Sequence, residues 1–179
     1  MEWVVLVLAV LLVLALGSWL SWTANRLDRM HVRLDIARSS LDTRLLRRSS
    51  TALEVATSGA LDPARSLLLV DSAHYARAAP PEDFEAAESE LSEALRAVFT
   101  DQDEVQVLRR REDTGPLLRE LARDCRKVEL AHRFHNDIVA TTRSLRSRRR
   151  VRWLRLSGRA ADPSTVDLDD VPPAALLVE

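Results

Sequence analysis

From Trp3 to Leu16 every residue is apolar, and Gly17, Ser18, Trp19 and Leu20 extend the run before polar side chains take over. Eighteen residues in a helix cover about 27 Å, close to the thickness of a hydrocarbon core. In hydrocarbon a backbone must satisfy its own hydrogen bonds, so a single segment of this kind crosses as a helix. Trp3 at one end, with Trp19 and Trp22 at the other, suits the two headgroup zones. A cleaved signal peptide is the competing reading, because Ala15-Leu16-Gly17 has the small-residue spacing of a cleavage site. Against it, the residues before the run include Glu2 and no base, and the run is longer than a signal core. Arg26, Arg29 and Arg33 follow the span while nothing basic precedes it. The positive-inside tendency therefore predicts a single-pass anchor in the plasma membrane, N-terminus out and the remainder cytoplasmic.

That remainder reads as all-α. Aromatics are 4% of the 179 residues and there are only four glycines, while Ala, Leu, Arg and Glu abound. About 130 residues bury a real core but leave no room for a second enzyme-sized domain. The net charge of −1 excludes a polyanion binder by overall charge, although the charge is unevenly spread. Cys125 stands alone, so there is no internal disulfide.

Leu27, Met30, Leu34, Ala37, Leu41, Leu45, Ala52 and Val55 recur in steps of three and four, with one step of seven after Leu45, the spacing of an amphipathic or coiled-coil helix. No Gly or Pro interrupts residues 18–58, which allows the membrane helix and the first soluble helix to be continuous. Gly59 fits a left-handed C-terminal position; Asp62 and Pro63 fit the N-cap and first position of the next helix. That second helix is predicted over 63–78, burying Leu67, Leu68, Val70 and Tyr75, and ending at Pro80-Pro81. A third carries Phe84, Ala87, Leu91, Ala94, Leu95 and Val98; Thr100 with Asp103 is a capping box that would break it. Periodicity alone leaves that break open. Gly115-Pro116 starts the last helix, with Leu118, Leu121, Cys125, Val128, His135, Ile138 and Leu145 on one side and an end near Arg149. Four such helices joined by short turns pack most simply as an antiparallel four-helix bundle. The expected organisation is an anchor over 1–22, a cytoplasmic bundle over 23–150, and over 151–179 a basic juxtamembrane segment with an acidic tail. Beyond Arg159 that tail has three prolines, five acids and no base, a composition that predicts disorder.

Several of these residues carry a family likeness. Glu120-Leu121-Ala122, Val128, Arg133-Phe134-His135-Asn136-Asp137 and Val139 resemble the last bundle helix of LemA family proteins. Asn25, Leu27, Ala37, Leu41, Leu45 and Arg47-Arg48 are similar to that family's first helix, and Glu90-Leu91 with Ala94-Leu95 to its third. The likeness covers residues 22–143. It departs where the family has aspartate, leucine, isoleucine, proline and asparagine after the paired arginines and this chain has Ser49-Ser50-Thr51-Ala52-Leu53. His135 replaces the family tyrosine, a tyrosine-proline-aspartate turn is missing, and the glutamate expected near Asp124-Cys125 is absent. The resemblance implies a divergent member: a membrane-tethered helical scaffold without established enzymatic activity. On this basis Arg133, Phe134, His135, Asn136 and Asp137 are structural motif residues.

The chain has no phosphate-binding glycine loop, nucleophile elbow, HExxH helix or cysteine pair, so no catalytic residues and no cofactors are assigned. The sharpest alternative is a di-iron-like metal-binding bundle enzyme. Glu129-x-x-His132 has the required spacing, Asp71-x-x-His74 is a weaker copy, and Glu54 or Glu88 are candidates to complete the set. Such spacing is common on exposed helix faces, and no metal ligand is assigned. His135 reads as a hydrogen-bonded core histidine and Cys125 as a packed thiol. Asn136 and Asp137 are candidates to cap or bridge helices.

Eight arginines fall within residues 143–159, around Val151, Trp153, Leu154 and Leu156. A solvated helix end, favourable to the helix dipole, is one reading, and nucleic acid is another. The preferred one follows from chain order: an even number of helices returns the last to the membrane. Arg146, Arg148, Arg149, Arg150, Arg152, Trp153 and Arg155 would then meet anionic lipid headgroups, each base contributing about 1 kcal/mol. The expected partners are membrane lipids and unidentified proteins, with no nucleic acid; a homo-oligomer is compatible with the same stripes.

Overall fold

The computed structural model describes residues 2–146 and 163–178, and among these the chain is helical with no strand. The helices are α1 (Glu2–Thr57), α2 (Pro63–Ala78), α3 (Phe84–Val98), α4 (Gln102–Arg110), α5 (Gly115–Arg146) and α6 (Ala174–Leu177). Helix α1 is continuous, and its segment Glu2–Trp19 is long and apolar enough to cross a membrane, with mean hydropathy 2.3 and none of it buried. The chain divides into two compact units, one of residues 1–36 and 137–164, the other of residues 37–136 and 165–179. In the first, Val139 and Thr142 are buried, and the Arg143 Nε donates to the Pro163 carbonyl at 2.8 Å.

The second unit holds the main core. From α1 it takes Ala52 and Val55, from α3 Leu91, Leu95 and Val98, and from α5 Leu118, Leu121 and Cys125. These are positions the three-and-four spacing predicts. Gly59 ends α1 region at φ 75°, the left-handed backbone that glycine adopts at little cost. Asp62 then accepts from the Ala64 and Arg65 amides at 3.0 and 3.1 Å, with Pro63 at the first position of α2.

The predicted face of α2 requires correction. Leu69, Ser72, Ala73 and Ala76 are buried, whereas Leu67 is 61% exposed and Leu68 and Tyr75 also face outward. Leu67-Leu68-Leu69-Val70 is apolar at every phase, so it fits several registers equally well. The buried face is instead the one that carries Leu69 and the small residues Ser72, Ala73 and Ala76, and α2 lies along α3.

The third helix breaks as the capping signals allow, but at a different residue. Asp101 accepts from the Asp103 and Glu104 amides at 2.9 and 3.3 Å, and α4 follows with Val105 and Leu108 buried. Thr100 instead turns its hydroxyl back to the Arg96 carbonyl at 2.8 Å. The α4–α5 turn needs glycine, because a Cβ on Gly115 would stand 2.3 Å from the Arg109 carbonyl oxygen.

Disorder of the tail is the largest correction. Val166, Leu168, Ala175 and Leu176 are buried in the second unit, so residues 165–178 form an ordered strap. Alternation of aliphatic and acidic residues in Val166-Asp167-Leu168-Asp169 sends one set inward and the other outward in an extended chain.

Candidate functional site

Two polar assemblies stand out in the second unit. The first is inside it. The buried positions of α1 run Leu41, Leu45, Arg48, Ala52, so an arginine occupies a place the helical period reserves for an apolar residue. Its guanidinium donates to Glu88 Oε2 at 2.7 Å, the Glu88 carbonyl at 3.1 Å and Ser92 Oγ at 2.9 Å. Both side chains of the ion pair are nearly inaccessible. Burial pushes the Glu88 carboxyl above the usual carboxylate range, against the pull of Arg48. Beside it Asp124, also buried, accepts from Thr51 at 2.9 Å and Lys127 at 3.4 Å, with Arg47 Nε at 3.6 Å. Arg47 itself is half out in solvent and donates to Glu120 at 2.7 Å, holding that carboxyl below its ordinary value. Burial raises the Cys125 thiol to about 11, which leaves it inert as a nucleophile at neutral pH.

The second assembly is the groove that holds the strap. Val166 and Leu168 enter an apolar slot made by Leu41 and Leu45 of α1 and Val128 of α5, with Phe84 and Ala131 at its edges. Arg38 covers the Phe84 ring at 5.0 Å. Asn136 binds the main chain of Val166 from both sides: its Oδ1 accepts from the amide at 3.0 Å and its Nδ2 donates to the carbonyl at 2.9 Å. That pair fixes the orientation of the amide, since a flip would set donor against donor. One helical turn earlier, His132 donates from Nδ1 to Asp170 at 2.8 Å, and its Nε2 lies 2.9 Å from the Val166 carbonyl and 3.0 Å from Asn136 Nδ2.

Helix α3 supplies the opposite wall at steps of about one turn. Glu85 accepts from the Asp167 amide and Ser89 from the Asp169 amide, both at 3.0 Å. Arg96 embraces the Asp169 carboxylate with two nitrogens and reaches the Val171 carbonyl at 2.9 Å. Desolvation pushes the Asp169 carboxyl up, but the bonds from Arg96 and the Val171 amide outweigh it, and its pKa is lowered. Further along, α6 packs on α4, Arg109 donates to the Leu176 and Val178 carbonyls, and Arg126 to the Leu177 carbonyl at 2.8 Å. These arginines complete the C-terminal end of α6, whose carbonyls have no helical partner.

Of the motif residues, Arg133 pairs with Glu129 at 2.5 Å on the surface, Phe134 is 57% exposed, His135 is buried and Asp137 is exposed. Asn136 is the one that joins the strap groove. Glu129 is thus committed to Arg133, His132 to the strap and Glu88 to Arg48, while Asp71, His74 and Glu54 are exposed. Among the described residues no group of three or more His, Cys, Asp or Glu is placed to hold a metal ion. Arg148, Arg149, Arg150, Arg152, Trp153 and Arg155 lie outside the described residues, and Arg146 is described only as the last residue of α5. Sequence reasoning missed Glu85, Ser89, Arg96, Arg109 and Arg126 as strap ligands; the one available signal was the period-two pattern of Val166 to Asp169. Comparison of the chain with family models, curated proteins and solved structures finds no match.

Proposed function

We propose that this is a single-pass membrane protein with a structural, scaffolding or protein-interaction role at the cytoplasmic face of the plasma membrane, without catalysis. The observation that carries the reading is Glu2–Trp19, eighteen residues of mean hydropathy 2.3 that none of the described residues covers. An uncovered surface of this length and composition is stable in lipid and a liability in water. Arg26, Arg29 and Arg33 on its C-terminal side favour N-terminus out. The likeness to LemA proteins supports divergent membership of that family and, with it, an antiparallel four-helix body. The strap lends support to antiparallel packing, since it meets α3 at Glu85, Ser89 and Arg96 in ascending order and α5 at Asn136, His132 and Arg126 in descending order.

The basic stretch Arg146 to Arg155 is a second contact in this reading, with anionic headgroups as its ligand. An interaction role is favoured over catalysis because the inward-facing charges Arg48 with Glu88 and Arg96 with Asp169 are engaged with each other.

Cell fractionation tests the anchor, and protease protection of tags at each end tests its direction. The full-length chain should stay with the membrane after carbonate extraction, with the C-terminal tag digested only once the cytoplasmic side is opened. Recovery in the soluble fraction, or a mature N-terminus starting near Ser18, would overturn the reading.

A further inference from the structure

We propose that the groove between α3 and α5 is a receptor for an extended segment of a partner protein with alternating aliphatic and acidic residues, and that residues 166–171 occupy it as a tethered competitor. The proposal rests on the interaction reading above and gives it a site.

The geometry is that of peptide recognition. An extended strand leaves its amides and carbonyls unpaired unless a neighbour supplies partners, and here helices supply them through side chains. Asn136 binds both main-chain groups of Val166, Glu85 and Ser89 take the amides of Asp167 and Asp169, and Arg96 reaches the carbonyl of Val171. Contacts to main-chain atoms do not depend on the side chain that the bound residue carries. Selectivity is left to two features. A slot between Leu41, Leu45 and Val128 takes aliphatic side chains two residues apart, as it takes Val166 and Leu168. Arg96 and His132 then require carboxylates after the second aliphatic, where the strap has Asp169 and Asp170.

The acidic end of residues 166–171 is the accessible part of the strap: its ion pair with Arg96 is about a third exposed on both sides, and Val171 is 58% exposed. As a tethered ligand it competes at an effective concentration in the millimolar range, so a partner must bind the open groove tightly to displace it.

The test titrates a fluorescent peptide with the sequence of residues 163–172 into the full-length chain in detergent micelles. Leu168→Asp places a charge in the apolar slot and frees residues 166–171 from it, while Ala175 and Leu176 stay in the main core. The peptide should bind this variant at least about tenfold more tightly than the wild-type chain. Adding Asn136→Ala, or replacing the peptide's acids by lysine, should abolish binding. Equal affinity for wild type and Leu168→Asp, or no binding to a variant that keeps its helical circular dichroism and a cooperative melt, overturns the proposal. If Leu168→Asp does not fold, Asp169→Ala weakens only the rim, and the same preference over wild type, though smaller, is required of it. A wild-type dimer by light scattering that Leu168→Asp converts to a monomer would also overturn it, by making the tail an element exchanged between copies. Partner capture by the native membrane protein that survives Asn136→Ala would remove the groove while leaving the interaction role standing.

Discussion

Arg48 and Asn136 do the most to distinguish this chain from a plain helical core, and each acts through a different balance of forces. For Arg48 the balance is between desolvation of a buried ion pair and the bonds that compensate it. Removing one partner leaves a charge with no water and no counter-charge, which costs about 3–5 kcal/mol, whereas exchanging both for apolar residues of similar volume is often neutral or better. Glu88→Leu should therefore lower unfolding stability in denaturant by about that amount, and Arg48→Met with Glu88→Leu should recover most of the loss. At the strap the pH dependence follows from Asp169, whose carboxyl is lowered in the folded state. A depressed carboxyl stabilises docking above its unfolded value of about 4 and loses that contribution as pH falls through the folded one. Amide protection over residues 166–171 should hold from neutral pH down to about pH 5 and decline below about pH 4, ahead of the helices, in hydrogen exchange corrected for intrinsic rate. Asn136 was legible as a motif residue and a candidate to cap or bridge helices but not as a strap ligand, because its partner is the main chain of Val166, thirty positions away in sequence.

The helices show where periodicity is informative. The stripes of α3 and α5 recur at helical spacing, and the predicted positions Leu91, Leu95, Leu118 and Leu121 are buried, while Leu130 and Phe134, off the stripe of α5, are exposed. In α2 the apolar run is too dense to select a face, and the face that is buried carries Leu69 with the small residues Ser72, Ala73 and Ala76. The consequence is measurable. Leu69→Ala should destabilise the chain by about 2–5 kcal/mol through loss of buried contacts and the cavity left behind. Leu67→Ala should fall within about 0.5 kcal/mol of wild type, as exposed substitutions do. Comparable losses at the two positions in thermal or chemical unfolding would argue against the face assigned to α2. The division between α3 and α4 is local in origin, since the Asp101 side chain caps the new helix and Thr100 bonds backward.

For the molecule as a whole, an apolar N-terminal helix precedes a folded unit that carries its own tail in a groove. The proposed lipid contact of the basic segment is separate from the proposed anchor, so it should persist without residues 1–22. A chain lacking residues 1–22 and folded by circular dichroism should bind vesicles containing phosphatidylserine at low salt. It should release them as ionic strength rises, and bind neutral vesicles weakly. Salt-insensitive binding, or none at low salt, would remove the second contact. What the amino-acid order determined by itself is whatever a short window records: the apolar run, the stop and start at Gly59, Asp62 and Pro63, and the stripes of α1, α3 and α5. Each of these depends on interactions within a few turns, so local spacing carries the information. The face of α2, the cation at a core position of α1 and the docking of the tail were decided by tertiary structure alone. The strap bonds to residues thirty to more than eighty positions away, and an acidic, proline-containing segment is ordered only where a groove assembled from distant helices supplies its hydrogen bonds and buries its aliphatic side chains.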